Sequence, residues 1–391
     1  MREKTIAILG ATGSVGTQAA DVARKKGIRV SLLSAFSDTD GAERLAREFM
    51  PDAVAMADIG AAERLRIALA DTDIKVYGGD CGLTDAIYDI DADVYVNAVL
   101  GCAGLLPSVA VVEKGRRLAL ANKETMVVAG EAVTRKCVES GGEIIPVDSE
   151  HCAIFQCMSA GRRSEVRSII LTASGGPFYG YTSEMLGKVA LSDALAHPTW
   201  KMGNKITVDS ATLMNKGFEV IEAVRLFGVG PENVRVVVHR ESIIHSAVEY
   251  IDNTVIAEMS VPDMRSCVQY AVDYPDRSAA VTERLDLFSV GTLTFAPPDP
   301  EVFPLLGAAF DAVSCGGGVP AVLNAADEVA VDAFLKEKIR FCDISEAVMG
   351  TVSRLRGASE INDIDDILSL DSDARRVARE LVSDISGRRN V

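Results

Sequence analysis

The run Pro146-Val147-Asp148-Ser149-Glu150-His151 puts two carboxylates two positions apart at the end of an apolar stretch. In extended chain, residues two apart share a face, so Asp148 and Glu150 are expected to point the same way. Side by side they repel unless a cation joins them, and hard oxygen donors suit Mg²⁺ or Mn²⁺. A solvated acidic strand end is the plain alternative. A third carboxylate, Glu219, closes the segment VDSATLMNKGFE that begins at Val208. A helix beginning near Asp209 or Ser210, both good N-caps, would put Asn215, Lys216 and Glu219 on one face. The alternative there is a surface i,i+3 ion pair, worth ~0.2–0.5 kcal/mol. Against it stands Gly217: a glycine inside a helix costs ~1 kcal/mol, which implies that something packs close.

Two glycine turns suit anions. Ile6 to Leu9 leads into Gly10-Ala11-Thr12-Gly13-Ser14-Val15-Gly16 and then a helical pattern. Strand, glycine turn and helix form the context of a dinucleotide site, with a pyrophosphate on free N–H groups at the helix start. The second strand ends in Ser34 to Asp40, with no basic residue and with Asp38 nearby. Read alone, that leans towards NAD or leaves the choice with NADP open. The second turn, Ser174-Gly175-Gly176-Pro177, offers a hydroxyl and glycine N–H groups as an anion nest. Ser210, Asn215 and Lys216 would complete it; an ordinary turn is the alternative. Between them, Ala196 to Gly203 holds His197, the chain's single tryptophan, Trp200, and Met202 in a Pro/Gly-bounded loop. That loop reads as a lid; taken alone, the residues slightly favour the alternative, with Trp200 a core anchor and His197 a capped surface residue.

The elements that must position these residues change texture along the chain. Strand and helix alternate through the first 150 residues: strands at Lys4 to Leu9, Arg29 to Ala35, Ala53 to Ala57, Val94 and Arg117 to Leu120, helices between. Such alternation implies a parallel sheet with helices on both faces. Strands follow at Val166 to Thr172, Val234 to His239, Ser246 to Tyr250 and Val255 to Ser260, and the chain is helical from about 305 onward. The expected fold is α/β: an N-terminal Rossmann-like dinucleotide-binding domain (1–149), a central α+β domain (150–275) with its lid near 194–206, a Pro-rich linker (276–304), and a C-terminal helical bundle (305–391).

Composition narrows the function classes. The chain has 391 residues, 40 basic and 56 acidic, for a net charge of −16. Such a surface repels phosphate backbones, which argues against nucleic acid and anionic membrane as partners. The eight cysteines are scattered without a C-x-x-C pair, as in a cytoplasmic protein with reduced thiols. His151 with Cys152 and Cys157 lacks a fourth zinc ligand. The uncharged run 94–112 is interrupted by Asn97, Gly101, Gly104 and Pro107, so it reads as strand, loop and helix, not a membrane span.

Taken together, GATGSVG, LANKE (Leu120 to Glu124), PVDSEH, SGGPF, HPTWKMG, VDSATLMNKGFE, HRESIIHS (His239 to Ser246), PDMR and LNAADEVAVDAFL stand in one order along almost the whole chain. In this the chain resembles the 1-deoxy-D-xylulose 5-phosphate reductoisomerases. The resemblance implies conversion of that sugar phosphate to 2-C-methyl-D-erythritol 4-phosphate, in non-mevalonate isoprenoid synthesis, with NADPH and a divalent metal, by a homodimer. It implies metal ligation by Asp148, Glu150 and Glu219. It implies phosphate binding by Ser174, Ser210, Asn215 and Lys216, with His197 also on the substrate and Lys123 and Ser149 on its backbone oxygens. Thr12, Gly13, Ser14, Val15, Asn122, Glu124 and Gly203 would contact the cofactor, and Trp200 would cover the closed site. The chemistry fits: a chelated carbonyl and hydroxyl favour retro-aldol cleavage and re-addition, followed by hydride delivery. Phe36, Ser37 and Asp38 depart from the family pattern, so reduced discrimination against NADH is expected. Ala173 replaces a common glycine, with activity expected to survive. Two rivals are a metal-independent NAD(P) dehydrogenase on a similar frame and a non-catalytic NADPH-binding protein.

Overall fold

The computed structural model describes residues 4–200, 202–357, 361 and 363–389; Lys201 of the expected lid lies outside the described residues. Two compact units emerge: Met1–Thr125 with Val133–Cys152 and Asp263–Arg284, and Met126–Ala132 with Ala153–Pro262 and Leu285–Val391.

The first unit is built on seven strands: β1 (Thr5–Leu9), β2 (Arg29–Ala35), β3 (Ala53–Met56), β4 (Lys75–Gly78), β5 (Val94–Asn97), β6 (Arg117–Leu120) and β7 (Glu143–Pro146). They form one parallel sheet in the order β4-β3-β2-β1-β5-β6-β7. β1, β3 and β5 are buried along their whole length, as continuous apolar runs in a helix-covered sheet must be. The chain moves outward from β1 to β4 and resumes on the other side at β5. Strand order therefore reverses between β1 and β5, and the crevice beyond their carboxyl ends is where such sheets bind ligands. The run 94–112 is β5, a short 3₁₀ turn and the helix Leu105–Glu113. Among the described residues no helix is long and apolar enough to cross a membrane.

Residues 263–275, expected with the central domain, pack on this first unit instead. Lys4 Nζ donates to Val272 O at 2.8 Å, Arg265 meets Asp21 at 2.8 Å, Lys26 meets Asp273 at 2.7 Å, and Arg117 donates to Tyr274 O at 2.6 Å. Those partners are far away in sequence, so no local pattern announces them.

The second unit carries β8 (Val166–Ala173), β9 (Val234–Val238), β10 (Ile244–Tyr250) and β11 (Val255–Met259), in the order β11-β10-β8-β9. β10 runs antiparallel to both neighbours, and β8 is parallel to β9 with Ala173 opposite Val238. The segments that follow β8 and β9 therefore leave the sheet at the same edge. The C-terminal helices form the expected bundle, yet they share a core with this sheet: Ile169, Leu171, Phe178 and Phe218 belong to one buried cluster with Leu305, Ala309, Phe334, Phe341 and Ile344.

Candidate active site

In the first unit, the turn after β1 enters the helix Ser14–Lys26, whose N-cap, Gly13, has no capping side chain and whose first turn holds no acid. The first N–H groups of any helix lack partners inside it, and the dipole adds partial positive charge there. Gly16 is where only glycine fits: a Cβ would stand 2.1 Å from Gly10 O, so helix and turn are in direct contact. Gly13 and Ser14 are exposed, and Thr12 and Val15 are half-buried. Nearby, Asp38 caps the helix Thr39–Phe49 by accepting from Gly41 N at 3.0 Å, so that carboxylate already serves the fold. Phe36 beside it is exposed.

The loops after β6 and β7 carry the next residues. Asn122, 1 % exposed, caps the helix Lys123–Ser140 by accepting from Thr125 N at 3.0 Å. Its amide donates to Val99 O at 2.8 Å, Gly101 O at 2.9 Å and Glu124 at 3.0 Å. Asn122 thus orders the crevice loop with its whole side chain, and Glu124 extends that network. Lys123, 6 % exposed, meets Asp148 at 2.5 Å. Burial pushes the Asp148 pKa up, but the Lys123 charge and His151 outweigh it and hold the carboxyl well below its usual range.

Asp148 and Glu150 do not lie in extended chain, as the sequence reading had it. β7 ends at Pro146, the helix Ser149–Cys157 begins at the residue after Asp148, and Cys152 N donates to Asp148 O at 2.8 Å. Asp148 therefore precedes the helix, and its Oδ1 accepts from Ser149 N at 3.0 Å. Glu150 lies in the first helical turn and accepts from the Ser149 hydroxyl.

In the second unit, Asp209 and Ser210 do not start a helix. They lie inside the helix Asn204–Thr212, whose N-cap is Gly203. The chain breaks at Leu213, in the left-handed region at φ 59°, and restarts as the helix Met214–Phe227. That break aims Asn215, Lys216 and Glu219 along one new face. Asn215 donates to Glu219 Oε1 at 2.6 Å and Lys216 Nζ to Oε2. Lys216 is 3 % exposed and Glu219 0 %, so the surface-pair alternative is excluded. Gly217 has its close neighbour: a Cβ there would sit 2.7 Å from the Ala309 methyl.

The turn after β8 lies against Ser210, whose carbonyl oxygen would be 2.6 Å from a Cβ on Gly176. His197 Nε2 stands 3.0 Å from Ser174 Oγ. Its Nδ1 accepts from Thr199 N at 3.2 Å and Trp200 N at 2.9 Å, so the ring proton is on Nε2 and is donated to the serine. Burial, with Arg240 adding to it, pushes the His197 pKa down to about 4. The Trp200 ring lies 6.2 Å from that of His245.

Sequence reasoning missed two features. Lys205 meets Asp209 at 2.6 Å and Asp327 at 2.9 Å, tying the Ser210 helix to Val319–Leu335. Arg240 holds the turn after β8. Lys205 and Asp209 are an i,i+4 pair of one helix, but the bond to Asp327 and those of Arg240 join segments distant in sequence and have no local signal.

The donor chemistry fits both groups that the sequence suggested. Asp148, half-buried and paired with Lys123, and Glu219, buried and paired with Lys216, are ionised carboxylates, and carboxylate oxygens are the donors that suit Mg²⁺ or Mn²⁺. The uncapped, acid-free helix start at Ser14 suits a phosphate. Asp148 and Glu150 lie in the first unit, Glu219 in the second.

Three family models match: 1-deoxy-D-xylulose 5-phosphate reductoisomerase over residues 6–130, its C-terminal domain over 144–227, and the DXP reductoisomerase C-terminal domain over 259–377. The chain is 48 % identical over 377 residues to the 1-deoxy-D-xylulose 5-phosphate reductoisomerase of Acetivibrio thermocellus, covering 96 % of this chain and 99 % of that protein. It is 47 % identical over 379 residues to that of Chlorobium chlorochromatii, with 96 % and 99 % covered. Among solved structures, the Zymomonas mobilis reductoisomerase in complex with NADPH is similar at TM-score 0.91 and 37 % identity, covering 98 % of this chain and 99 % of that one. A DOX-P reductoisomerase in complex with NADPH, fosmidomycin and magnesium is similar at TM-score 0.93 and 35 % identity, with 97 % and 98 % covered.

Proposed function

The chain belongs to the 1-deoxy-D-xylulose 5-phosphate reductoisomerase family; it is an NADPH-dependent oxidoreductase acting on that sugar phosphate with a divalent metal, and we propose the following roles for its residues. Asp148, Glu150 and Glu219 are the metal ligands. Ser174, Ser210, Asn215 and Lys216 bind the substrate phosphate. Lys123 and Ser149 contact the backbone oxygens. Thr12, Gly13, Ser14, Val15, Asn122, Glu124 and Gly203 contact NADPH, and the Asn122 side chain also orders the loop after β5. The observation that carries this reading is the buried Glu219, gripped by Asn215 and Lys216 on one helical face.

A bound divalent cation supplies Lewis-acid polarisation of the substrate carbonyl and hydroxyl, and NADPH supplies the hydride. The chain's own residues do the rest. His197 donates its Nε2 proton as a neutral hydrogen-bond donor, so anion affinity rests on Lys216 and on neutral N–H and O–H groups. Phosphate binding is a handle whose energy orients the reacting carbons. Trp200, on the loop with His197, excludes water when the site closes. Lys123 keeps Asp148 ionised for its role as ligand.

The metal is Mg²⁺ or Mn²⁺. The lack of a basic residue in the stretch Ser34 to Asp40, and the commitment of Asp38 to a cap, support weakened discrimination between NADPH and NADH. A homodimer is supported by exposed Val255 and Met259 on the edge strand β11 and by Phe288 at 99 % exposure. Eight cysteines scattered without a C-x-x-C pair support a cytoplasmic location.

The test mixes purified chain, 1-deoxy-D-xylulose 5-phosphate and NADPH with Mg²⁺, Mn²⁺ or a chelator, and follows loss of reduced-nicotinamide absorbance; NADH is compared in parallel. Metal-dependent oxidation is expected. Oxidation unaffected by chelator would favour the metal-independent rival, and NADPH binding without turnover the binding-only one.

A further inference from the structure

The motif HRESIIHS contains a side chain that the roles above leave unused. Arg240 lies two residues past β9, and β9 ends level with β8, so it emerges beside the turn that follows β8. His239 sets it there: its N donates to Ala173 O at 2.7 Å, and its Nε2 accepts from Ile243 N at 3.2 Å and Ile244 N at 3.1 Å. Arg240 Nη1 then donates to Ser174 O at 3.0 Å and Gly176 O at 2.8 Å. Its guanidinium carbon stands 5.1 Å from the Tyr179 ring centroid.

We propose that Arg240 is a positioning residue for the substrate phosphate: by taking the Ser174 and Gly176 carbonyls it fixes the turn that presents the Ser174 hydroxyl. The inference rests on the assignment of Ser174 and Ser210 to the phosphate. Carbonyl dipoles that point at a cation cannot also point at an anion. A turn whose carbonyls are held by Arg240 leaves its remaining donors to the phosphate. Ser174 Oγ is fixed from two further directions, by His197 Nε2 at 3.0 Å and Gly176 N at 3.3 Å. Arginine suits the task better than lysine: Nη1 meets both carbonyls while the delocalised guanidinium lies over the Tyr179 ring, and it is always charged. His197 is neutral at physiological pH, so Arg240 is the fixed positive charge beside this hydrogen bond.

The test is steady-state kinetics of the full chain with 1-deoxy-D-xylulose 5-phosphate, NADPH and Mg²⁺. Arg240→Met is expected to raise KM for the sugar phosphate about 10- to 100-fold, the range carried by charge-assisted hydrogen bonds. KM for NADPH and kcat are expected to stay within about threefold of wild type, because Arg240 touches neither the cofactor nor the reacting carbons. Arg240→Lys, which keeps the charge but loses the planar guanidinium, is expected to fall between. If Arg240→Met does not fold, Arg240→Gln takes its place in the same comparison. An unchanged sugar-phosphate KM, a fall in kcat alone, or a lysine variant no better than methionine overturns the proposal. Ser174→Ala is the companion: if it too leaves KM unchanged, the phosphate assignment itself has failed, whereas a raised KM there with normal Arg240 variants refutes only the role of Arg240.

Discussion

Two glycines of one loop separate backbone strain from side-chain crowding. Gly176 (φ 64°) and Gly180 (φ 81°) both occupy the left-handed region. A Cβ on Gly180 meets nothing within 4 Å, whereas one on Gly176 would stand 2.6 Å from Ser210 O. Alanine at either site costs ~1–2 kcal/mol for its conformation. At Gly176 the contact must also open by roughly 0.8 Å to reach ordinary van der Waals distance, and overpacking of that kind costs ~1–3 kcal/mol more. Gly176→Ala should therefore destabilise the chain by ~2–5 kcal/mol, against ~1–2 for Gly180→Ala. The opening pushes apart Ser174 and Ser210, and displacements approaching 1 Å cost up to ~100-fold in catalysis. Denaturant unfolding and kcat/KM, measured on both variants, form the assay. Gly176→Ala should lose about 10- to 100-fold in kcat/KM with a raised sugar-phosphate KM, while Gly180→Ala stays near wild type. Equal stability and equal kinetics for the two would refute the contact between the turn and the Ser210 helix.

Gly217→Ala gains ~1 kcal/mol of helix propensity but must push Ala309 aside at ~1–3 kcal/mol, so chemical denaturation should show net destabilisation; a more stable variant contradicts the close helix packing. Lys123→Met leaves Asp148 without its countercharge and should cost ~3–5 kcal/mol at neutral pH. Because the Asp148 pKa is lower folded than unfolded, the wild-type contribution is present above pH ~4 and fades as acid is added, so the gap between wild type and variant should narrow in acid. The His197 imidazole, followed by NMR, should titrate near pH 4, and a midpoint near 6.5 would refute its buried, donor-only role.

What the sequence revealed was mostly local or periodic. Buried parallel strands read as apolar runs, and the Gly10–Gly16 turn stood where strand passes to helix. Asn215, Lys216 and Glu219 share a face because three- and four-residue spacings do so on any helix. Other features were hidden for physical reasons. Ser210 suggests an N-cap, but an earlier helix already runs through it, and Leu213 supplies the break in a conformation that leucine rarely adopts. Asp148 and Glu150 looked like alternating strand residues, although an aspartate before a helix start is equally ordinary. Residues 263–275 and Arg240 carried no signal. The first is placed by ion pairs to Lys26 and Asp21. The second reaches Ser174, 66 residues away, only because β8 and β9 pair in parallel.

The central claim is that Asp148, Glu150 and Glu219 hold a divalent cation. Calorimetric titration of Mn²⁺ into the full chain, with wild type beside Glu219→Gln and Asp148→Asn, tests it without reference to turnover. The account predicts saturable binding by wild type and affinity reduced by at least about 100-fold in each variant, since even the partners of metal ligands contribute 10- to 100-fold. Undiminished Mn²⁺ binding in both folded variants would contradict it.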